Sequence, residues 1–185
     1  MSRFKILAIS GSIRHHSSNQ RILEYISSTY SDQIEIEIYN GLTRLPYFNP
    51  DDDIDCKIEE VIAFRNKISS ADAVIFCTPE YVFSIPGVLK NALEWLVSTT
   101  VLLDKPIAII TASSLGENGH ESLQLILKTL GGAFNENTTM LVSGVRSKVN
   151  ELGEFNEDVS RIKLQSLMTT LISSINFSSP ESISS

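Results

Sequence analysis

The chain has 185 residues, 42% of them hydrophobic, and a formal net charge of −7. That length suits one compact domain whose core needs no disulfide or metal staple. The acidic balance sets long-range steering against nucleic acid and against an anionic membrane surface. The two cysteines, Cys56 and Cys77, are far apart and not in CxxC spacing. A disulfide framework or zinc site is therefore not expected, and a reducing cytoplasm suits the chain. Residues 1–20 lack a secretory pattern, and no apolar run is long enough to span a membrane.

Strand and helix signals alternate along the chain. "FKILAIS" (Phe4–Ser10) reads as a buried strand, and Asn19–Tyr30 as a helix with Ile22, Leu23 and Ile26 on one face. "IEIEIY" (Ile34–Tyr39) alternates apolar and acidic residues, which predicts an edge strand with one wetter face. "NGLTRLPYFNPDDD" (Asn40–Asp53) reads as a long, turn-rich connection, followed by a helix over Ile54–Ser69. "DAVIFCT" (Asp72–Thr78) is a strand, and Pro86–Val97 a helix with Pro in its first turn. "KPIAIITA" (Lys105–Ala112) is another central strand, Gly119–Leu130 a helix, and "TTMLVSG" (Thr138–Gly144) the last strand. A final helix covers Asn156–Ile175. The expected organisation is one domain over residues 1–177 with a polar tail over 178–185.

Near-continuous apolar strands alternating with helices predict an α/β fold with a doubly wound, five-stranded parallel sheet and helices on both faces. The wetter second strand belongs at an edge, which gives the order 2-1-3-4-5. Ligands in such folds sit beyond the carboxyl ends of the strands, where the order reverses. Three loops meet there: "SGSIRHHSSN", "TPEYVFSIPG" and "TASSLGENGH". All three have the composition of binding loops rather than of core.

The first loop enters a helix N-terminus, where unpaired N–H groups and the helix dipole favour an anion. Ser10, Ser12, Ser17, Ser18 and Asn19 add neutral donors, and Arg14 adds a planar permanent charge. Neither GxxxxGK[ST] nor GxGxxG is present, so a phosphate monoester fits better than a nucleoside triphosphate or a dinucleotide. The plainer alternative is that Ser17 or Ser18 simply caps the helix. His15 and His16 have no carboxylate or cysteine nearby to make a metal site. In the second loop, Pro79 and Pro86 bracket Glu80, Tyr81, Val82, Phe83, Ser84 and Ile85. A stiff loop with free amides and two aromatics suits a flat heteroaromatic ring. Alternatively, Tyr81 and Phe83 serve core or subunit contacts, Glu80 is a solvated charge, and Trp95 and Cys77 are packing residues.

"GSIRHHSSN" followed by "PEYVFSIPGVLKNALEWL" resembles the NAD(P)H-dependent FMN reductase family, the flavodoxin-like group of quinone, azo-dye and chromate reductases. The family patterns are close to GSLRxxSxN and PEYNxSxPGxLKNAxDW. "LPYFNPDDD" and "GVRSKVNELGEFNED" extend the resemblance over nearly the whole chain. It implies that Ser12, Arg14, Ser17 and Asn19, with Ser10 and Ser18 beside them, hold the FMN phosphate. It implies that Pro79, Glu80, Tyr81, Val82, Phe83 and Ser84 hold the ring and ribityl chain. Ser113, Ser114, Leu115 and Gly116 would then lie beside the ring. Two departures stand out: Val82 where many relatives have Asn, and His16 where many have a small residue, often Gly. The third loop also lacks a second Gly common in the family.

The resemblance further implies a ping-pong cycle with NADPH or NADH as donor and a quinone, azo compound, metal oxyanion or free flavin as acceptor. No Ser-His-Asp or Cys-His constellation is present, so the chemistry falls to FMN and no catalytic side chain or metal ligand is named. A homodimer or homotetramer is implied too; the amphipathic pattern of the Pro86–Val97 helix, with Leu89, Leu93, Trp95 and Leu96, suits burial against the sheet and burial against a second chain alike. The alternatives are a flavodoxin-like electron carrier and a non-enzymatic flavin-binding module. Arg14 and the proline-bracketed loop count against the carrier.

Overall fold

The computed structural model describes residues 3–178. Five parallel strands, β1 (Phe4–Ser10), β2 (Ile34–Tyr39), β3 (Ala73–Thr78), β4 (Ile107–Ser113) and β5 (Thr139–Ser143), form one sheet in the order β2-β1-β3-β4-β5. β1 pairs with β2 from Phe4↔Ile34 to Ile9↔Tyr39 and with β3 from Ile6↔Ala73 to Ser10↔Cys77. Chain order therefore reverses between β1 and β3, as the sequence pattern predicts.

Each strand feeds two cores because alternate side chains point to opposite faces. Ile6 and Ala8 pack with Ile22, Leu23 and Ile26 of α1 (Ser18–Thr29) and with Leu164, Leu167 and Leu171 of α7 (Asp158–Ser178). Leu7 and Ile9 pack on the other face. There they meet Val61 and Phe64 of α3 (Glu59–Ser70), Leu89 and Leu93 of α4 (Gly87–Glu94), and Leu123 and Leu127 of α5 (Glu117–Thr129). Every residue of β3 and β4 is buried, whereas β2 is exposed at both glutamates, which fits its edge position.

The structure departs from the sequence pattern mainly between β2 and β3. A 3-10 turn (Leu42–Arg44) and a short helix α2 (Pro50–Asp53) stand in the connection. The helix expected from Ile54 starts only at Glu59. Asp55, at φ +53°, breaks the chain direction, and the Asp53 carboxylate turns back to pair with Arg65. "LPYF" is clamped to α4: Asn91 accepts from the Phe48 N–H (2.8 Å) and donates to the Pro46 carbonyl (2.9 Å). The buried Trp95 indole donates to that same carbonyl at 2.9 Å and stacks edge-on with Phe48. The packing role read for Trp95 is thus a positioning one as well. α7 runs on to Ser178, past the expected Ile175, and the rest of the expected polar tail, residues 179–185, lies outside the described residues.

Candidate functional site

The first loop starts where β1 and β3 touch. The Gly11 N–H donates to the Cys77 carbonyl at 2.8 Å. A Cβ on Gly11 would stand 2.2 Å from Thr78 Oγ1, so only glycine lets the two strand ends meet this closely. The loop then folds on its own hydroxyls. Ser10 Oγ donates to the Ser12 carbonyl (3.1 Å), and Ser12 Oγ accepts from the Arg14 N–H (3.4 Å). Ser17 is the N-cap of α1, its Oγ accepting from the Gln20 N–H at 3.1 Å. The capping alternative is thus what the Ser17 side chain does, yet the Ser12 and Ser17 hydroxyls each keep a proton to donate.

The cap leaves the Ser18 and Asn19 N–H groups with no acceptor among the described residues. Both ends of the Asn19 side chain are engaged elsewhere: Nδ2 donates to the Ala112 carbonyl (3.2 Å), and Oδ1 accepts from Cys77 Sγ (3.3 Å). Asn19 therefore braces α1 against β3 and β4, and its backbone N–H faces the loop. Burial pushes the Cys77 thiol far above its ordinary pKa, so it stays neutral and packs as a core residue.

The second loop is a tight hairpin. Tyr81 N–H donates to the Ser84 carbonyl (2.8 Å) and Ser84 N–H to the Tyr81 carbonyl (3.1 Å). Val82 (φ +51°) and Phe83 (φ +57°) form its tip, the two positive angles of a type I′ turn. Asn tolerates that geometry and a β-branched residue does not, which gives the Val82 departure a physical meaning. Tyr81, Val82 and Phe83 are exposed rather than core. Glu80 is not a solvated charge: its carboxylate accepts from the Gly119 N–H at 2.8 Å in the first turn of α5. The hairpin and third loop are so fastened together, and Ser113 Oγ adds a long contact to the Glu80 carbonyl (3.4 Å). Gly116 (φ +105°) caps α5, and the Ser114 carbonyl accepts from the Gly144 N–H at 3.0 Å. Behind this loop, His120 Nδ1 lies 2.8 Å from Thr111 Oγ1, and burial, then Lys163, holds its pKa below the ordinary histidine value.

These three loops enclose a cavity of about 240 Å³ at the switch point. Of the expected residues, Ser12, Arg14, Ser17, Ser18, Asn19, Pro79, Glu80, Tyr81, Ser113 and Ser114 line it. Val82 and Phe83 stand outside at the hairpin tip, Ser84 closes the hairpin base, and Gly116 shapes the third loop. Ser10 instead lines a cleft of about 670 Å³ on the β2 side of the first loop. That larger cleft sets Glu24 and Glu151 against Arg14 and Arg21, so its charge is near balance. The smaller cavity has the anion-binding character, because its one carboxylate, Glu80, is held by Gly119. Arg146 of the short helix α6 (Val145–Lys148) also lines it, and no spacing rule applied to the sequence singles it out. Among the described residues, no group of three or more His, Cys, Asp or Glu side chains is placed to hold a metal ion.

The donor set fits a phosphate monoester: two free N–H groups at a helix N-terminus, two hydroxyls and a guanidinium. The cavity is smaller than the usual range for a whole drug-sized ligand, about 300–1,000 Å³. A space of this size suits one polar end of such a ligand, and Tyr81 of the hairpin is part of its lining.

A parallel sheet in this order with an anion cradle at the reversal point defines the flavodoxin-like class. The family model for NADPH-dependent FMN reductase matches residues 4–145, and the chain belongs to that family. It is 40% identical over 125 residues, 65% of each chain, to NADH-dependent flavin reductase subunit 2 of Lactobacillus johnsonii. It is 30% identical over 171 residues, 89% of this chain and 92% of the relative, to 2-hydroxy-1,4-benzoquinone reductase of Burkholderia sp.. The match thus spans just under two thirds of the Lactobacillus relative, and 52% of NADH:(hydroxy)cinnamate reductase subunit CrdA of Vibrio ruber at 42% identity. In fold, the chain is similar to the flavoenzyme NAD(P)H:(acceptor) oxidoreductase FerB of Paracoccus denitrificans, with a TM-score of 0.75 at 22% identity over 94% of this chain and 98% of that one.

Proposed function

We propose that this chain is an NAD(P)H-dependent flavin oxidoreductase that holds FMN at the switch-point cavity. It turns over by a ping-pong cycle, with NADPH or NADH as donor and a quinone, azo compound, metal oxyanion or free flavin as acceptor. FMN, when bound, would supply the redox chemistry: hydride acceptance and electron delivery. The observation that carries this reading is the cavity where all three loops converge, with Arg14 and two free helix N–H groups inside and an exposed aromatic hairpin at its mouth.

The chain's residues divide the work. The Arg14 guanidinium, the Ser18 and Asn19 N–H groups and the Ser12 and Ser17 hydroxyls hold the phosphate. Ser10 shapes the loop that presents them. Pro79, Glu80, Tyr81 and Ser113 line the polyol path, with the Glu80 carboxylate serving as a tie rather than a ligand. Val82, Phe83, Ser84 and Gly116 flank the ring. An electron carrier needs no open face for a nicotinamide, whereas the exposed hairpin tip leaves room for one.

Residues 1–177 act as the single FMN-binding domain in this reading. The protein is a homodimer or homotetramer of the cytoplasm, with neither nucleic acid nor membrane as partner. The two free cysteines and the net charge of −7 favour this, and no helix among the described residues is long and apolar enough to cross a membrane. A groove of about 340 Å³ between α4 and α5, lined by Leu93, Val97, Leu125 and Leu130, offers an apolar face for a second copy.

The test is an anaerobic visible spectrum of the protein reconstituted with FMN and desalted, before and after each nucleotide. Retained colour that bleaches rapidly with NADPH or NADH supports the reductase. Retained colour that does not bleach points to a carrier or a binding module. Colour lost on desalting argues against a resident flavin.

A further inference from the structure

The first loop supplies one guanidinium to the switch-point cavity, and the structure brings a second from the far end of the sheet. Arg146 lines the same cavity as Arg14. Its place is fixed by the backbone around it. Gly144, at φ +69°, turns the chain directly from β5 into α6 and ties to the Ser114 carbonyl at 3.0 Å. Val145 is buried in the core, and Asn156 holds the Ser147 carbonyl at 2.9 Å on the other side. Neither Arg14 nor Arg146 has an ion-pair or side-chain hydrogen-bond partner among the described residues. The five ion pairs found use Arg65, Lys67, Lys90, Lys148 and Arg161. Both guanidinium groups are therefore available to an anion in the cavity that they line.

We infer that Arg146 is a specificity-determining residue that, with Arg14, matches the dianionic charge of the FMN phosphate and so selects FMN over riboflavin. This rests on the flavin reading above. A phosphate monoester carries close to two negative charges at neutral pH, and one guanidinium leaves about half of that for the helix N-terminus alone. A second guanidinium completes the charge and adds planar donors to the same oxygens. Riboflavin shares the ring and the polyol and lacks the phosphate, so Arg146 contributes nothing to its binding.

The test is a fluorescence titration of the full-length flavin-free protein with FMN and, separately, with riboflavin, for the wild type, R146Q and R146K. Arg146 is exposed and makes no internal side-chain bond, so the variants retain the fold. The expected result is a rise of about tenfold in the FMN dissociation constant for R146Q, with the riboflavin constant unchanged. R146K recovers part of the loss, and added salt weakens FMN binding less in R146Q than in the wild type. An unchanged FMN constant in R146Q, or equal weakening of both flavins, overturns the inference while leaving the flavin reading intact. A wild-type protein that binds neither flavin overturns both.

Discussion

The Glu80 carboxylate accepts a 2.8 Å hydrogen bond from the Gly119 N–H, so the hairpin after β3 is fastened to the first turn of the helix after β4. An anionic acceptor at a helix N-terminus satisfies an orphan donor and meets the positive end of the dipole. A Cβ on Gly119 would lie 3.1 Å from Glu80 Cβ and 3.2 Å from the Ser84 carbonyl, which shows how closely the two loops approach. Glu80→Ala is expected to lower stability by about 1–2 kcal/mol, and Glu80→Gln by roughly half as much, since the amide oxygen still accepts. Urea unfolding of the three proteins checks this. Equal stability of all three would mean the tie contributes nothing.

Val82 stands at φ +51° with 96% of its surface exposed, so it has backbone strain and almost no packing to offset it. Val82→Asn is expected to stabilise the protein by about 1 kcal/mol, because Asn adopts the left-handed region at lower cost. In a chain of this size the melting temperature then rises by about 2–4 °C. A melting curve of the flavin-free variant that shows no rise, or a fall, would contradict the strain account.

Asn19 separates a bracing side chain from a binding one. Asn19→Ala removes the partner of the Ala112 carbonyl and of the Cys77 thiol, both in the core. A loss of about 1–3 kcal/mol in unfolding free energy is expected. Were stability unchanged and FMN affinity reduced, the side chain would be a ligand and the bracing role would be wrong.

His120 gives a pH dependence with a definite sign. Burial, followed by Lys163, lowers its folded pKa below the ordinary 6.5. As pH falls, the unfolded chain protonates this histidine first, so the unfolded state binds more protons. The contribution is complete above about 6.5 and is lost as pH falls toward the lowered folded value. His120→Gln is expected to flatten the fall of the melting temperature as pH drops below about 6.5 relative to the wild type. Parallel profiles for the two proteins would exclude the histidine as the source.

Much of the architecture is legible in the chain. The apolar runs at Phe4–Ser10 and Asp72–Thr78 and the alternating "IEIEIY" suffice for a parallel sheet with β2 at its edge, because burial on both faces and on one face leave different periodicities. The first two loops are legible from composition: hydroxyls, a guanidinium and bracketing prolines do not build cores. The start of α3 is not legible, because Asp55 and the turn back of Asp53 to Arg65 are decided by a partner distant in sequence.

The sequence by itself determined the fold class, the switch point and the first two loops that meet there, since hydrophobic period and loop chemistry are local properties. Only the tertiary structure decided which groups in those loops are free. The side chains of Asn19 and Glu80 are committed to bracing and the Ser17 oxygen to capping, while the Ser17 O–H, the Ser18 and Asn19 N–H groups and Arg14 remain available. It also decided that Arg146 joins Arg14, across more than a hundred residues of chain, at one cavity. Hydrogen-bond partnership and convergence depend on groups that meet only when the sheet closes, so they leave no periodicity for a sequence to show.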